Sequence, residues 1–191
     1  EKNLEFLLKA FNGVAQTIPN VHLLLLGDGQ SREKLTQQAK ESKSAKRIHF
    51  VGLIDYEKMP AYIAMCDAFV TASVTEVHPL SVIEAMGAGL PILGIHSPGV
   101  SDSVIDGVSG FLSDKDLASF TAKMTHLCLD KPLRKKMSAA AAKASEQYAI
   151  ERTTKMMVSL YEKVMFDAPR PHHEEHELSL RKILDRILDH D

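Results

Sequence analysis

Tryptophan is absent, aromatic residues make up only 6% of the chain, and cysteine occurs twice in 191 residues. Two thiols, Cys66 and Cys128, far apart in apolar helical patterns, exclude a disulfide scaffold and read as buried free thiols in a reducing compartment. No run reaches the roughly 20 apolar residues that a membrane-spanning helix needs. The opening EKNLEFLLKAF lacks the layout of a signal peptide. An excess of positive charge is also missing: 23 Lys and Arg stand against 25 Asp and Glu, for a net charge of -2. A basic face for nucleic acid is therefore not expected, and the short run Arg134-Lys135-Lys136 reads as a solvated helix face. With 45% hydrophobic residues the chain can bury a sizeable core. It carries no initiator Met and opens directly on a helical pattern at Leu4, so an upstream part is expected.

The pattern that is present alternates helix with strand. Leu4, Leu7, Leu8, Phe11, Val14 and Ala15 recur at helical spacing, and Val21 to Gly27 is a short continuous apolar run, the mark of a strand buried on both faces. Ser31 caps a polar helix to about Ser42. Strands follow at Arg47 to Gly52, Ala68 to Ser73, Leu90 to Ile95 and Gly110 to Ser113. Helices are expected at Tyr56 to Cys66, Ser81 to Met86, Ser101 to Asp106, Asp116 to Leu129, Pro132 to Tyr148 and Ile150 to about Met165. Such alternation predicts an α/β fold, a Rossmann-like parallel sheet with helices on both faces. Ligands of such sheets bind beyond the carboxyl ends of the strands, which points to Gly27–Gly29, Val51–Leu53 and Ser73–Leu80.

The composition changes at Asp167, where APRPHHEEH breaks the helical pattern. We read residues 1–166 as one Rossmann-like domain, 167–177 as a linker and 178–191 as an amphipathic helix carrying Leu180, Ile183, Leu184, Ile187 and Leu188 on one stripe. That helix docks on its own domain or on the upstream part, with an oligomer contact or peripheral membrane contact as the alternatives.

Two glutamates in TEVHPLSVIEAMGAGLP carry the chemistry. Glu76 follows a strand at the carboxyl edge, and a helix starting near Pro79 or Leu80 offers free N–H groups and the positive end of its dipole to an anion there. Glu84 lies about four residues further, roughly 6 Å along the helix axis, about the step from a diphosphate to a ribose. A carboxylate accepts two hydrogen bonds at once, as from a vicinal diol. Spacing alone equally allows Glu76 as a dipole partner and Glu84 as a surface helix residue.

The stretch resembles the signature of the retaining glycosyltransferases of family four, and the similarity runs from Lys2 to about Lys163. Glu76, Val77-His78-Pro79, Glu84 and the ending Ala85-Met86-Gly87-Ala88-Gly89-Leu90-Pro91 stand in the family's order, as do the segments GDGQSREKL, RIHFVGLID, MCDAFVTAS and VIDGVSGFL. The resemblance implies one domain of a two-domain GT-B enzyme. It implies that Glu84 binds the ribose of a nucleotide-sugar donor, most simply UDP-linked, and that Glu76 is the catalytic-site glutamate beside the transferred sugar. Backbone at His78, Leu80 and Ser81 would hold the diphosphate and sugar, Lys2 would neutralise the leaving diphosphate, and backbone at His49 and Val51 would meet the base. A cation and helix amides facing the growing diphosphate charge would stabilise the transition state without metal or cofactor. The acceptor, a glycan or lipid, would be met through the missing N-terminal domain, and the enzyme would be cytoplasmic or lie at the inner membrane face. Val77 and Pro79 replace the glycines of the family turn, and proline has no N–H to offer. His78 replaces an aromatic residue, and either bonds a sugar hydroxyl or packs.

Rival motifs are weaker. Asp114-Lys115-Asp116 has the spacing of a metal-binding aspartate pair but precedes an apolar helix, so it reads as a cap. His172, His173 and His176 lack a fourth ligand for zinc, and Gly27-Asp28-Gly29 is not a dinucleotide fingerprint. Two functions remain: a retaining hexosyltransferase whose donor-binding half this is, or a non-catalytic nucleotide-sugar-binding module or regulatory subunit.

Overall fold

The computed structural model describes residues 1–167. The linker expected over 167–177, apart from Asp167, the histidines within it and the helix expected over 178–191 lie outside the described residues. One compact unit spans Glu1–Ala149, and a second begins at Ile150.

Within the first unit the elements are α1 (Leu4–Thr17), β1 (Leu23–Leu26), α2 (Arg32–Lys40), β2 (Ile48–Gly52), α3 (Met59–Ala64), β3 (Phe69–Thr71), α4 (Leu80–Gly87), β4 (Ile92–Ile95), α5 (Val100–Ser103), β5 (Gly110–Ser113), α6 (Leu117–Leu129) and α7 (Lys131–Ser145). The expected alternation is present, and all paired strands are parallel. The ladder falls into two pieces, β1-β2 and β3-β4-β5, where one sheet was expected. Apolar packing joins the pieces instead. Leu7, Leu8, Phe11 and Val14 of α1 share one core with Leu23 of β1, Ile48 of β2, Leu93 and Ile95 of β4, and Phe120 and Met124 of α6. A second core holds Ile92 of β4 with Val82, Ala85 and Met86 of α4, Val100 of α5, Leu112 of β5 and Ala141 of α7. Alternate residues of β4 thus feed opposite cores, as the two-residue period of a strand dictates. All four residues of β4 are buried, which is why that strand reads as a run without polar residues.

Helix ends explain the boundaries. Asp116 caps α6 by accepting from the Ser119 N–H at 2.7 Å, and Asp130 caps α7 by accepting from Leu133 N–H at 2.8 Å. Ser31 precedes α2 but makes no side-chain cap; Asp28 instead accepts from Gly29 N–H and from the Arg32 guanidinium, each at 2.7 Å. Both cysteines are free, as expected, but half-buried rather than buried, and burial pushes each thiol above its ordinary value.

The unit that begins at Ile150 contributes α8 (Ile150–Asp167), with Met157, Leu160, Tyr161 and Val164 at helical spacing. Among the described residues no helix is long and apolar enough to cross a membrane.

Helices α1 and α6 pack against each other, and Phe120, with no exposed surface, meets Phe6 edge-on at 5.3 Å. Phe120→Ala is expected to lower stability by about 3–5 kcal/mol, whereas Leu129→Ala, at a residue 67% exposed, should change it by less than about 0.5 kcal/mol. Urea denaturation of both variants checks this, and equal midpoints would contradict the assigned core.

Candidate functional site

The carboxyl ends of the strands and the start of α4 bring together residues from four separate stretches. Glu76 sits in the turn between β3 and α4. Its Oε1 accepts from the Ser73 hydroxyl at 2.8 Å and pairs with the Lys2 ammonium. Ser73 is fully buried, and its carbonyl accepts from the Ser97 hydroxyl at 3.1 Å. Lys2 arrives because the chain is anchored beside β3: the Val74 N–H donates to the Glu1 carbonyl at 3.2 Å. Between Lys2 and α1, Asn3 takes a left-handed conformation at φ 52°, which asparagine tolerates better than most residues. Its side-chain nitrogen is buried with no acceptor among the described residues.

Behind the turn stands Gly99, at φ 78°. A Cβ at that position would lie 2.4 Å from the Glu76 carbonyl oxygen, so any other residue there would push the glutamate's backbone away. Glu76 is therefore fixed by a salt bridge, a buried hydroxyl and a close backbone approach. Its carboxyl is held below the ordinary value, mainly by the hydrogen bond from Lys2 and, against some desolvation, by that from Ser73. Exposure is uneven: the Lys2 side chain is 63% exposed and Glu76 17%, which makes the lysine the partner free to turn to a ligand.

The start of α4 departs from an open anion site. Of its first amides, Leu80 N–H donates to the His78 carbonyl at 2.9 Å, and Val82 and Ile83 donate to the Pro79 carbonyl at 2.9 and 3.1 Å. The Ser81 N–H has no intramolecular acceptor among the described residues. Pro79 is buried, Val77 is fully exposed, and the His78 ring rests edge-on against Tyr148 with centroids 5.9 Å apart. His78 thus packs, one of the two roles open to it.

Glu84, one helical turn in, accepts a hydrogen bond from the Tyr56 hydroxyl at 2.8 Å. Tyr56 lies in a short 3-10 turn, Tyr56–Lys58, just after β2. Val51 falls where the β1–β2 register slips, Leu25 facing Phe50 and Leu26 facing Gly52, so it is the extra residue of a bulge at the carboxyl edge. Gly52 follows at φ 86°, with the Arg32 guanidinium close enough that a Cβ would stand 3.0 Å from it. His49 lies nearer the amino end of β2, facing Leu24, and its ring nitrogen is 3.0 Å from that of His22 in a stacked pair.

Lys2, Glu76, Ser81, Glu84 and Val51 therefore gather at one edge of the fold, while the His49 ring does not join them. The sequence pointed to Ser73 only as the start of the Ser73–Leu80 edge, and sequence reasoning missed Gly99 and Tyr56. For Tyr56 a signal was present, an aromatic residue four positions beyond a strand's carboxyl end. Among the described residues no group of three or more His, Cys, Asp or Glu could hold a metal ion. A surface depression of about 800 Å³ lies elsewhere, against α1 and α6 at Lys9, Gly13, Leu117 and His126.

A family model described as glycosyl transferases group 1 matches residues 1–144. The chain belongs to this family. This glycosyltransferase chain is 27% identical over 161 residues to alpha-monoglucosyldiacylglycerol synthase of Acholeplasma laidlawii, covering 84% of the chain and 40% of that protein. It is 28% identical over 144 residues to glycogen synthase of Mycobacterium tuberculosis, covering 75% of the chain and 34% of that protein. The chain spans less than half the length of these curated relatives. In fold it is similar to the pneumococcal O-GlcNAc transferase GtfA, solved with UDP and GlcNAc, at a TM-score of 0.78 and 22% identity over 87% of this chain and 34% of that one. Anabaena Alr3699/HepE, solved with UDP and glucose, gives a TM-score of 0.76 and 22% identity over 85% of this chain and 45% of that one. The fold is thus that of a GT-B glycosyltransferase domain.

The lowered Glu76 value has a definite consequence. A carboxyl depressed on folding stabilises the protein above its unfolded value, and that contribution fades as pH falls through the folded one. Lys2→Met is expected to move the Glu76 titration midpoint upward, toward or past the ordinary carboxylate range, in carboxyl carbon NMR. An unmoved midpoint would contradict the assigned ion pair.

Proposed function

We propose that this chain is the donor-binding half of a retaining hexosyltransferase that uses a nucleotide-diphosphate sugar, most simply UDP-linked. The observation that carries the reading is the pair of glutamates bracketing the start of α4, with Glu76 joined to Lys2 and Glu84 one turn deeper. In this reading Glu84 grips the ribose hydroxyls. The diphosphate lies over the α4 start, where the Ser81 N–H and the amides of the exposed His78 turn can donate, and the Leu80 backbone frames it. Backbone at Val51 meets the base at the bulge, with His49 further down the same strand. Glu76 faces the sugar being transferred.

The chemistry follows from charge. As the anomeric carbon–oxygen bond breaks, the electron pair stays on the diphosphate, and negative charge grows there. Lys2, exposed and already at the site, turns from Glu76 to that charge, and preorganised cationic and amide donors lower the barrier without a metal. Glu76, released from Lys2 but still held by Ser73, then presents a carboxylate beside the electron-poor anomeric carbon. Both structural neighbours were solved with UDP, which supports the choice of base.

The acceptor would be recognised through a further domain, since the chain spans under half of its curated relatives. A glycan or lipid acceptor fits, glycolipid and glycogen synthases being among those relatives. A cytoplasmic enzyme, working free or at the inner membrane face, completes the proposal. The presence of Lys2, Glu76 and Glu84 together favours transfer over a purely regulatory role.

Titration calorimetry of the chain with UDP tests the reading. Wild type is expected to bind, and Glu84→Ala to weaken binding at least about tenfold, the scale of losing hydrogen bonds to a charged group. Unchanged affinity in Glu84→Ala would overturn the site.

A further inference from the structure

We infer that Tyr56 is a donor-binding residue, its ring stacking on the nucleoside while its hydroxyl shares the Glu84 carboxylate with the ribose. The inference rests on the reading of Glu84 as the ribose ligand. Tyr56 is 74% exposed, so its ring contributes little to the core. Among the described residues the only side-chain hydrogen bond of its hydroxyl is the 2.8 Å bond to Glu84 Oε1. The ring is thus held by that one bond beside the carboxylate proposed to bind ribose, and its face is open to a ligand there.

Geometry sets what the ring meets. The hydroxyl takes Oε1 and leaves Oε2 of Glu84 for a ribose hydroxyl, since a carboxylate offers acceptor sites on both oxygens. With the diphosphate over the start of α4, the base extends from the ribose away from that helix and toward the end of β2 at Val51 and Gly52. Tyr56 follows that end by four residues and bridges back to Glu84, so a nucleoside held there lies against its ring. Glu84 raises the phenol above its ordinary value, so at neutral pH the hydroxyl remains a donor to the carboxylate. A flat ring accepts any base, so Tyr56 separates nucleoside diphosphates from bare diphosphate and leaves the choice among bases to the strand edge.

Calorimetry of the whole 191-residue chain tests this with two probes, UDP and inorganic pyrophosphate. Tyr56→Ala is expected to weaken UDP about tenfold or more, the scale of losing one base–aromatic stack, and to leave pyrophosphate unchanged. Tyr56→Phe, which keeps the ring, should cost about threefold, the scale of one modest hydrogen bond. Unchanged or tighter UDP binding in Tyr56→Ala, or equal losses for UDP and pyrophosphate, would overturn the assignment. Glu84→Ala, run alongside, separates the two failures. If Glu84→Ala weakens UDP while Tyr56→Ala does not, only the role of Tyr56 falls; if Glu84→Ala has no effect, the ribose site falls and Tyr56 with it.

Discussion

One carboxylate organises this site, and the fold spends three separate contacts on holding it. Glu76 is paired with Lys2 from before α1, bonded by Ser73 from the end of β3, and backed by Gly99 from the turn into α5. Each contact constrains a different freedom. The ion pair keeps the group charged, the buried hydroxyl fixes which oxygen points inward, and the glycine lets the backbone approach to a distance that no side chain would permit. Because Ser97 in turn bonds the Ser73 carbonyl, the ends of β3 and β4 move as one support under the glutamate. The anchoring of Glu1 on Val74 ties the lysine to the same support.

The start of α4 has a different character. His78 and Pro79 carbonyls already occupy three of its first amides, and a proline at the cap removes another donor. On the proposed reading, fewer free amides at this helix tip would leave more of the diphosphate charge to Lys2. Val77 is fully exposed and His78 rests on Tyr148, so the turn presents an apolar tip and a braced ring to whatever sugar arrives.

Much of this was legible in the sequence for a physical reason. A strand buried on both faces loses the polar alternation of exposed strands, so ILGI at Ile92–Ile95 stands out from the helices around it. LLLL at Leu23–Leu26 stands out by the same apolar run, although only Leu23 is buried and the other three are half-buried. The glutamate pair was legible because both residues lie in one local segment whose spacing survives folding. What could not be read depends on contacts between distant positions. Tyr56 meets Glu84 across 28 residues, Gly99 stands against Glu76 across 23, and neither pairing leaves a periodic trace. The break between β1 and β3 was hidden for the same reason, since each strand is locally normal and only their pairing is missing. His49 illustrates the converse: its position on a strand was read correctly, but its ring partner His22 is the residue just before the strand beside it.

The central claim is that a nucleotide diphosphate lies at the carboxyl edge, over α4 and beside Tyr56. Amide chemical-shift mapping of the chain on addition of UDP tests it most directly. The account predicts that the largest shifts fall on His78, Ser81, Glu84, Val51 and Tyr56. Shifts confined instead to the depression against α1 and α6, at Lys9, Gly13, Thr121 and His126, would contradict it.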